Sequence, residues 1–356
     1  MDFSLGTVEV ELAALARRIL ADHATPDRLR AVEAGDDRFD RTLWTRLADA
    51  GVLAAALPEA VGGAGLDLLA QCAVLVELGR AVAPVPYLPS IVLGAATLAR
   101  FGQPDLACRA AQGELIVTAA LAEADGEPPA WAERSAGGWV LSGTRTAVPA
   151  GPYADLILVP AGGHVFLVTP ADPGVTMLPQ RVVDGDREGL LDLVAVHVPD
   201  DRVLGGREVL DWLTARGTVG VCATQLGVIE RALDLTAEYA RTRVQFGRPI
   251  GEFQAVAQRL ADGYIDVEAV RLTTWQAAWR LSAGLPAETE VAVAKFWAAD
   301  AGHRVAHTAV HVHGGVGIDM EHPLHRYFVA AKRNEFTLGA ATAQLRKIGA
   351  ALADAP

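Results

Sequence analysis

The apolar residues of this chain change their spacing twice, and that double change limits the folds open to it more than any single motif does. Up to about residue 110 they recur every three or four positions. Val8, Leu12, Leu15 and Ile19 share one helical face, and Leu43, Trp44 and Leu47 begin a segment that Gly51 can end. A further helical segment runs from about Leu66 to Arg80, behind the turn-forming Gly62, Gly63 and Gly65. Between about 112 and 205 the pattern becomes short β-type runs, LIVTAAL, GWVLSG, DLILVP, HVFLVT and GLLDLVAVHV, separated by Gly, Pro and Asp. In the last run Leu191, Leu193, Ala195 and His197 alternate with Asp192, Val194, Val196 and Val198, which is strand periodicity. From about 206 helical spacing returns in longer stretches. Val219, Cys222, Leu226, Ile229 and Leu233 step by threes and fours, as do Phe253, Val256, Leu260, Tyr264 and Val267. A third such helix is expected from about Ala287 to the break at Gly314-Gly315, and a fourth after Pro323, which suits a first helical position.

Strands that follow one another without intervening helices favour an antiparallel sandwich or barrel over a parallel dinucleotide-binding sheet. The long C-terminal stripes suit a four-helix bundle. The expected fold class is therefore α+β: an N-terminal helical domain over 1–111, a middle β-barrel or sandwich domain over 112–205 and a C-terminal helical bundle over 206–356. A chain of 356 residues can bury a substantial core in such an arrangement.

Composition narrows function mainly by exclusion. A formal net charge of −12 argues against nucleic acid, whose phosphates select basic surfaces. Lys295, Lys332 and Lys347 are the only lysines, so arginine carries nearly all the positive charge. Cys72, Cys108 and Cys222 form no CxxC pair and read as small apolar residues of a reducing compartment. Acidic residues stand near the start where a secretory signal needs positive charge, and no apolar run reaches membrane-spanning length. A cytoplasmic protein without membrane attachment is expected.

Three motifs bear on chemistry. The cluster Gly62-Gly63-Ala64-Gly65 has no strand before it and no Lys-Ser or Lys-Thr after it, so it reads as a turn before a helix and not as a phosphate loop. His303, His307 and His311 are four apart on one helical face, with His313 beside them. No carboxylate occupies the usual HExxH position, so packing or anion-binding histidines are expected and no metal site is assigned. Arg241, Arg243 and Arg248 flank Phe246 and Gly247 between the two long helices. Guanidinium groups in such a cluster can grip a pyrophosphate while the ring packs on an adenine. The alternative for that segment is a solvated cationic helix end.

In context these segments resemble the acyl-CoA dehydrogenase family. RTRVQFGRPIGEFQAVAQRLAD is similar to the family's flavin-binding helix pair, HVHGGVGI to its QxxGGxG loop, and HPLHRYF to the arginine-tyrosine segment after it. LPEAVGGAGLDLLAQCAVLVELGRA resembles its N-terminal helical domain and LSGTRTAVPAGPYADLILV its β domain. The resemblance implies FAD lying between subunits, a carboxylate that removes the α-proton of an acyl-CoA thioester, and passage of the β-hydride to the flavin. Such a base must be desolvated, and the thioester oxygen must be hydrogen-bonded as the enolate forms. The resemblance also implies that Arg243, Phe246, Gln254, Gly314 and Gly315 reach a neighbouring subunit's FAD, with His311 in place of the usual glutamine.

Other positions depart from the family. Its usual Tyr-Glu-Gly-Thr segment aligns with Thr337-Leu338-Gly339-Ala340, which puts leucine at the catalytic position. The alternative base position, on the first long C-terminal helix, falls near Gly217. The Thr-Glu-Pro turn reads Ala122-Glu123-Ala124, and the Trp-Ile-Thr segment reads Ala147-Val148-Pro149. No catalytic residue is therefore assigned. The half that grips the far end of a partner's FAD is retained, whereas the half that holds the reacting ring is missing.

This pattern resembles the base-lacking subunits of the actinobacterial α2β2 dehydrogenases of steroid side-chain β-oxidation, most closely in GYIDVEAVRLTTWQAAWR, AGHRVAHTAVHVHGGVGI and TLGAATAQLRKIG. The implied partners are a catalytic acyl-CoA dehydrogenase subunit, an acyl-CoA substrate and an electron-transfer flavoprotein or similar acceptor. Two alternatives stand beside this reading: a self-sufficient dehydrogenase with Glu335 as displaced base, and a non-redox scaffold with the same fold.

Overall fold

The computed structural model describes residues 5–123 and 129–353. In chain order it contains α1 (Thr7–His23), α2 (Pro26–Glu33), α3 (Arg41–Asp49), α4 (Leu68–Ala81), α5 (Ala96–Arg100) and α6 (Pro104–Ala111). Strands β1 (Val117–Ala119), β2 (Trp131–Ser135), β3 (Gly138–Val148), β4 (Leu156–Ala161), β5 (His164–Val168), β6 (Val175–Arg181), β7 (Arg187–Pro199) and β8 (Val203–Gly205) follow. Then come α7 (Arg207–Thr242), β9 (Val244–Gln245), β10 (Arg248–Pro249), α8 (Gln254–Ser282), α9 (Glu288–His313), α10 (Leu324–Phe336) and α11 (Ala341–Ala353). Helices, strands and helices thus succeed one another as the changes of periodicity require.

The chain divides into two compact units, each discontinuous in sequence. One comprises Asp27–Gln71 and Pro84–Gly217; the other comprises the residues up to Pro26, Cys72–Ala83 and the chain from Thr218 onward. In the first unit two four-stranded sheets, ordered β1-β4-β5-β8 and β2-β3-β7-β6, share one core that includes Leu141, Ile157, Phe166, Leu191 and Val196. Fully burying a side chain such as Phe166 contributes about 1.5–3 kcal/mol.

Two details differ from a uniform antiparallel reading. β1 pairs parallel with β4, because the β2–β3 hairpin of the other sheet lies between them in sequence and serves as the crossover that a parallel pair needs. In β7 the alternation slips at Ala195, where φ is +49° and the register with β3 shifts. Leu191 and Leu193 face the core before the slip, and Val196 and Val198 after it, so Val194 and His197 face out.

The helical face predicted for α1 is also rotated, since Leu12, Ala16 and Leu20 are the residues buried there. α3 starts where Asp40 accepts a hydrogen bond from the Leu43 amide, and the buried Leu43, Trp44 and Leu47 hold it to the core. The Gly62–Gly65 turn does require glycine, because a Cβ on Gly63 would lie 1.9 Å from the Leu57 carbonyl oxygen.

In the second unit the bundle is organised around α9, which packs against α8, α10 and α11. Its buried face is built from small residues, among them Ala294, Ala298, Ala301, Gly302, Ala306 and Ala309, which allow close helix approach. Val219, Cys222, Leu226 and Ile229 of α7 are fully buried as predicted. The stripe expected on α8 is not: of its members only Val267 is buried, and Tyr264 is 62% exposed.

Candidate functional site

The arginine-aromatic segment forms a tight hairpin. β9 and β10 pair with Gln245 opposite Arg248, and the two-residue tip, Phe246-Gly247, has φ values of +53° and +80°. Positive φ at both tip residues is the conformation that best joins short antiparallel strands, but glycine or asparagine normally fills it. A phenylalanine here costs about 1–2 kcal/mol of backbone strain. The residue is nevertheless 92% exposed; its ring meets the edge of Phe253 at 6.1 Å, and Arg248 lies over Phe253 at 4.4 Å. Arg243 opens the hairpin: its amide donates to the Tyr239 carbonyl and its carbonyl accepts from Ile250, both at 2.8 Å. Its guanidinium has no acidic partner among the described residues. Gln254 follows as the exposed first residue of α8, whose first turn contains no acidic side chain.

The second half of the cluster lies at the end of α9. His311 is exposed there, and the helix stops at Gly314 with φ +66° and ψ −143°, a conformation that favours glycine. Gly315 is different: a Cβ built on it meets nothing within 4 Å, so this chain's own packing does not demand glycine there. The two halves are tied together by the buried His313 ring, stacked on Tyr239 at 4.3 Å and 20°. Tyr239 is on the last turns of α7 leading to Arg243, and His313 is the last residue of α9 leading to Gly314. Burial holds the His313 imidazole below the ordinary histidine pKa, and its Nδ1 lies 2.8 Å from the Ala309 carbonyl oxygen.

The Thr337–Ala340 turn contains no proton acceptor in its side chains other than the Thr337 hydroxyl, which donates to the Arg333 carbonyl. Leu338 adopts φ +57° and Gly339 φ +98°. The turn is fastened from inside. The fully buried Lys295 ammonium donates to the Asn334 and Glu335 carbonyls at 3.0 and 3.1 Å, capping α10 just before it. Gln344 donates to the Leu338 and Gly339 carbonyls, each at 3.1 Å. Behind Lys295, Asn334 donates to Gln225, and Gln225 donates to the Ala298 and Ala331 carbonyls. Burial lowers the Lys295 pKa to about 8 and raises that of the neighbouring Cys222 thiol to about 12. Sequence reasoning missed this network. Its signal was a lone lysine on the otherwise apolar, small-residue stripe of α9.

Glu335 belongs to a separate ion cluster. Its carboxylate is 2.6 Å from the Lys332 ammonium and 3.2 Å from His303 Nδ1, and its side chain is only 13% exposed. α10 continues through Phe336, so Glu335 is held on the helix as a structural ion partner. The His303 and His307 rings are 4.3 Å apart. Burial, followed by His303 and Lys332, lowers the His307 pKa. Among the described residues no group of three His, Cys, Asp or Glu side chains is placed to hold a metal ion. No helix among them is long and apolar enough to cross a membrane.

In the β-rich unit, Glu123 accepts from Arg145 at 3.0 Å, while Ala124 lies outside the described residues. Ala147 has φ +48°, and its amide is already taken by the Gln180 side chain at 2.9 Å. Val148 is buried, and the Pro149 carbonyl accepts from Thr118. Gly217, the alternative base position, is a buried residue of α7.

The chain is similar to known proteins along its whole length. The profile described as "Acyl-CoA dehydrogenase, N-terminal domain" matches residues 8–110, and that described as "Acyl-CoA dehydrogenase, C-terminal domain" matches residues 205–353. The chain is 50% identical over 372 aligned positions to Acyl-CoA dehydrogenase FadE27 of Mycobacterium tuberculosis, covering 100% of both sequences. Among solved structures it is similar to a chain of the ChsE4-ChsE5 complex from Mycobacterium tuberculosis, with a TM-score of 0.98, 52% identity and full coverage of both chains. It is also similar to a chain of a Tcur3481-Tcur3483 steroid ACAD variant, with a TM-score of 0.94, 42% identity and 99% coverage of each.

Proposed function

Since this chain belongs to the acyl-CoA dehydrogenase family of oxidoreductases, we propose that it is the non-catalytic subunit of a heteromeric, FAD-dependent member, completing the flavin site of a catalytic partner. The observation that carries this reading is the contrast between the Phe246 tip and the Leu338 turn: exposed gripping groups on one side, and no base on the other. Two solved relatives, at 52% and 42% identity over 100% and 99% of the chain, are named for pairs of proteins, the second as a steroid ACAD. By that likeness the assembly is α2β2 and the substrate an acyl-CoA of steroid side-chain breakdown. Electrons would leave to an electron-transfer flavoprotein or similar acceptor. In this reading the chain comprises an N-terminal helical domain over 1–111, a middle β domain over 112–205 and a C-terminal bundle over 206–356.

The residues present suit the adenosine and pyrophosphate end of FAD. Bound in the partner, FAD supplies the hydride acceptor. Arg243 offers an unpaired guanidinium to phosphate oxygens, a charge-assisted contact worth about 1.5–3 kcal/mol. Phe246 presents a rigid ring for stacking. Gln254 and His311 offer hydrogen-bonding groups, and Gly314 and Gly315 leave backbone open to close approach. Leu338 puts no carboxylate where the family's base would stand, so the proton-removing step falls to the partner.

The test is the flavin absorbance of the purified chain alone and after co-expression with its candidate catalytic subunit. A flavin band and acyl-CoA oxidation in the complex, with neither in the isolated chain, are expected. A yellow homo-oligomer that oxidises acyl-CoA unaided overturns the reading, and the absence of flavin from both preparations leaves a scaffold.

A further inference from the structure

Two histidines meet beside the Gly314 loop, and each is built into the structure in its neutral form. The buried His313 ring, stacked on Tyr239 of α7, lies 5.3 Å from the His322 ring in the segment that joins α9 to α10. His313 Nδ1 faces the Ala309 carbonyl oxygen at 2.8 Å, so that nitrogen carries the proton. His322 is the reverse. Its Nδ1 accepts from the Leu324 amide at 3.3 Å, so Nδ1 is bare and the ring caps the first turn of α10. The corner is closed by the His322 amide, which donates to the Asp319 carbonyl at 3.0 Å, and by His325 Nδ1, which donates to the His322 carbonyl at 2.6 Å.

A proton on His322 undoes this corner. It puts an N–H where the Leu324 amide needs an acceptor, it sets positive charge at the N-terminus of α10, and it charges a ring beside His313. Burial holds the His322 pKa below 6.5; Asp319 works against that shift and His325 works with it. We propose that this corner is a proton-operated release for the loop Gly314–Ile318, in which protonation of His322 frees the loop and loosens its grip on the partner's FAD. The inference rests on the reading in the preceding subsection for what the loop holds, and on the corner itself for how it lets go. His311 acts in the opposite sense, because a proton there adds positive charge beside a pyrophosphate. Acid weakening therefore does not come from it.

Flavin retention by the purified complex between pH 7.5 and 5.5 tests the proposal, in wild type and in His322→Asn. Asparagine accepts a backbone amide and takes up no proton. Above pH 6.5 the two proteins should bind flavin alike, and below it wild type should lose affinity by up to about tenfold per pH unit. His322→Asn and His322→Gln should each change by less than about twofold over the same range. The partner and the flavin are the same in all three complexes, so their own titrations cancel in the comparison. Equal acid weakening in wild type and both variants, or none in wild type, overturns the release and leaves the subunit reading standing. A complex without flavin at pH 7.5 overturns the subunit reading instead. Hydrogen exchange at residues 314–318 of the chain alone then decides the release, which stands only if acid speeds exchange in wild type and not in the variants.

Discussion

The hairpin tip at Phe246 and the turn at Leu338 have nearly the same backbone and opposite surroundings. Each places a non-glycine residue in the left-handed region, at φ +53° and +57°, and follows it with a left-handed glycine at +80° and +98°. Each carries strain of about 1–2 kcal/mol. Phe246 stands in solvent, held by a two-residue ladder and flanked by Arg243 and Arg248, whereas the Leu338 turn is fixed by Lys295 and Gln344. The comparison shows that turn geometry and turn chemistry are separately determined. Buried polar groups fix the Leu338 backbone whatever side chain it presents.

The largest expected effect comes from removing the fastening of one turn only. In the folded chain Lys295 releases its proton near pH 8, against an ordinary value of 10.5. Between those values the unfolded state holds more protons, so this group raises folding stability by about 3 kcal/mol as pH climbs from 8 to 10.5. Cys222 acts in the opposite direction, because its folded pKa of about 12 exceeds the ordinary 9.0, and stability is lost as pH rises from 9. Lys295→Met isolates the lysine contribution. Wild type minus variant, from urea unfolding at a series of pH values, should grow by about 3 kcal/mol across that window. A flat difference would mean that the ammonium is not the buried fastening of the Leu338 turn.

The fold was legible because each zone has a clean period, and the residues proposed to hold FAD stand out because arginine, aromatic and glycine types cluster in one short segment. What escaped has identifiable causes. The slip in β7 comes from a positive φ at Ala195, a residue type that gives no warning of a bulge. The stripe Phe253, Val256, Leu260, Tyr264 and Val267 looks like core in a sequence, since periodicity does not tell an exposed apolar face from a buried one. The Lys295 network joins α7, α9 and α10 across long separations, and spacing along the chain cannot register such contacts. Glu335, three residues before Leu338, could be imagined at the turn; continuation of α10 through Phe336 keeps it with Lys332 and His303.

Glycine substitutions sharpen the contrast at intermediate effect. Phe246→Gly and Leu338→Gly each relieve left-handed strain, so each should stabilise the chain by about 0.5–1 kcal/mol after the flexibility glycine gives the unfolded state. Their functional consequences should part. Phe246→Gly loses a stacking surface worth about 0.5–1.5 kcal/mol, so flavin retention by the complex should weaken up to about tenfold. Leu338→Gly should leave flavin retention and turnover unchanged. Equal flavin loss in both variants, measured by equilibrium dialysis of the complex, would break the distinction between a working tip and a silent turn.

The smallest effect concerns the stack that joins the two halves of the gripping cluster. Burial, with His322 adding to it, holds His313 below the ordinary pKa of 6.5, while its bond to the Ala309 carbonyl opposes the shift. As pH falls through 6.5 the unfolded chain takes up a proton that the folded chain refuses. Stability from this group is therefore complete above about pH 6.5 and declines below it, by at most about 1.4 kcal/mol per pH unit. His307 and His322 are shifted the same way, each chiefly by burial, so His313→Gln should blunt acid destabilisation without abolishing it. Urea midpoints at pH 7 and 5.5 measure the effect, and hydrogen exchange at Tyr239–Arg243 locates it. If acid loosens those amides in wild type and not in the glutamine variant, the Tyr239–His313 stack is the joint that keeps the Arg243 hairpin beside the Gly314 loop. Equal acid sensitivity in the two proteins would instead assign that joint to the helix packing around it.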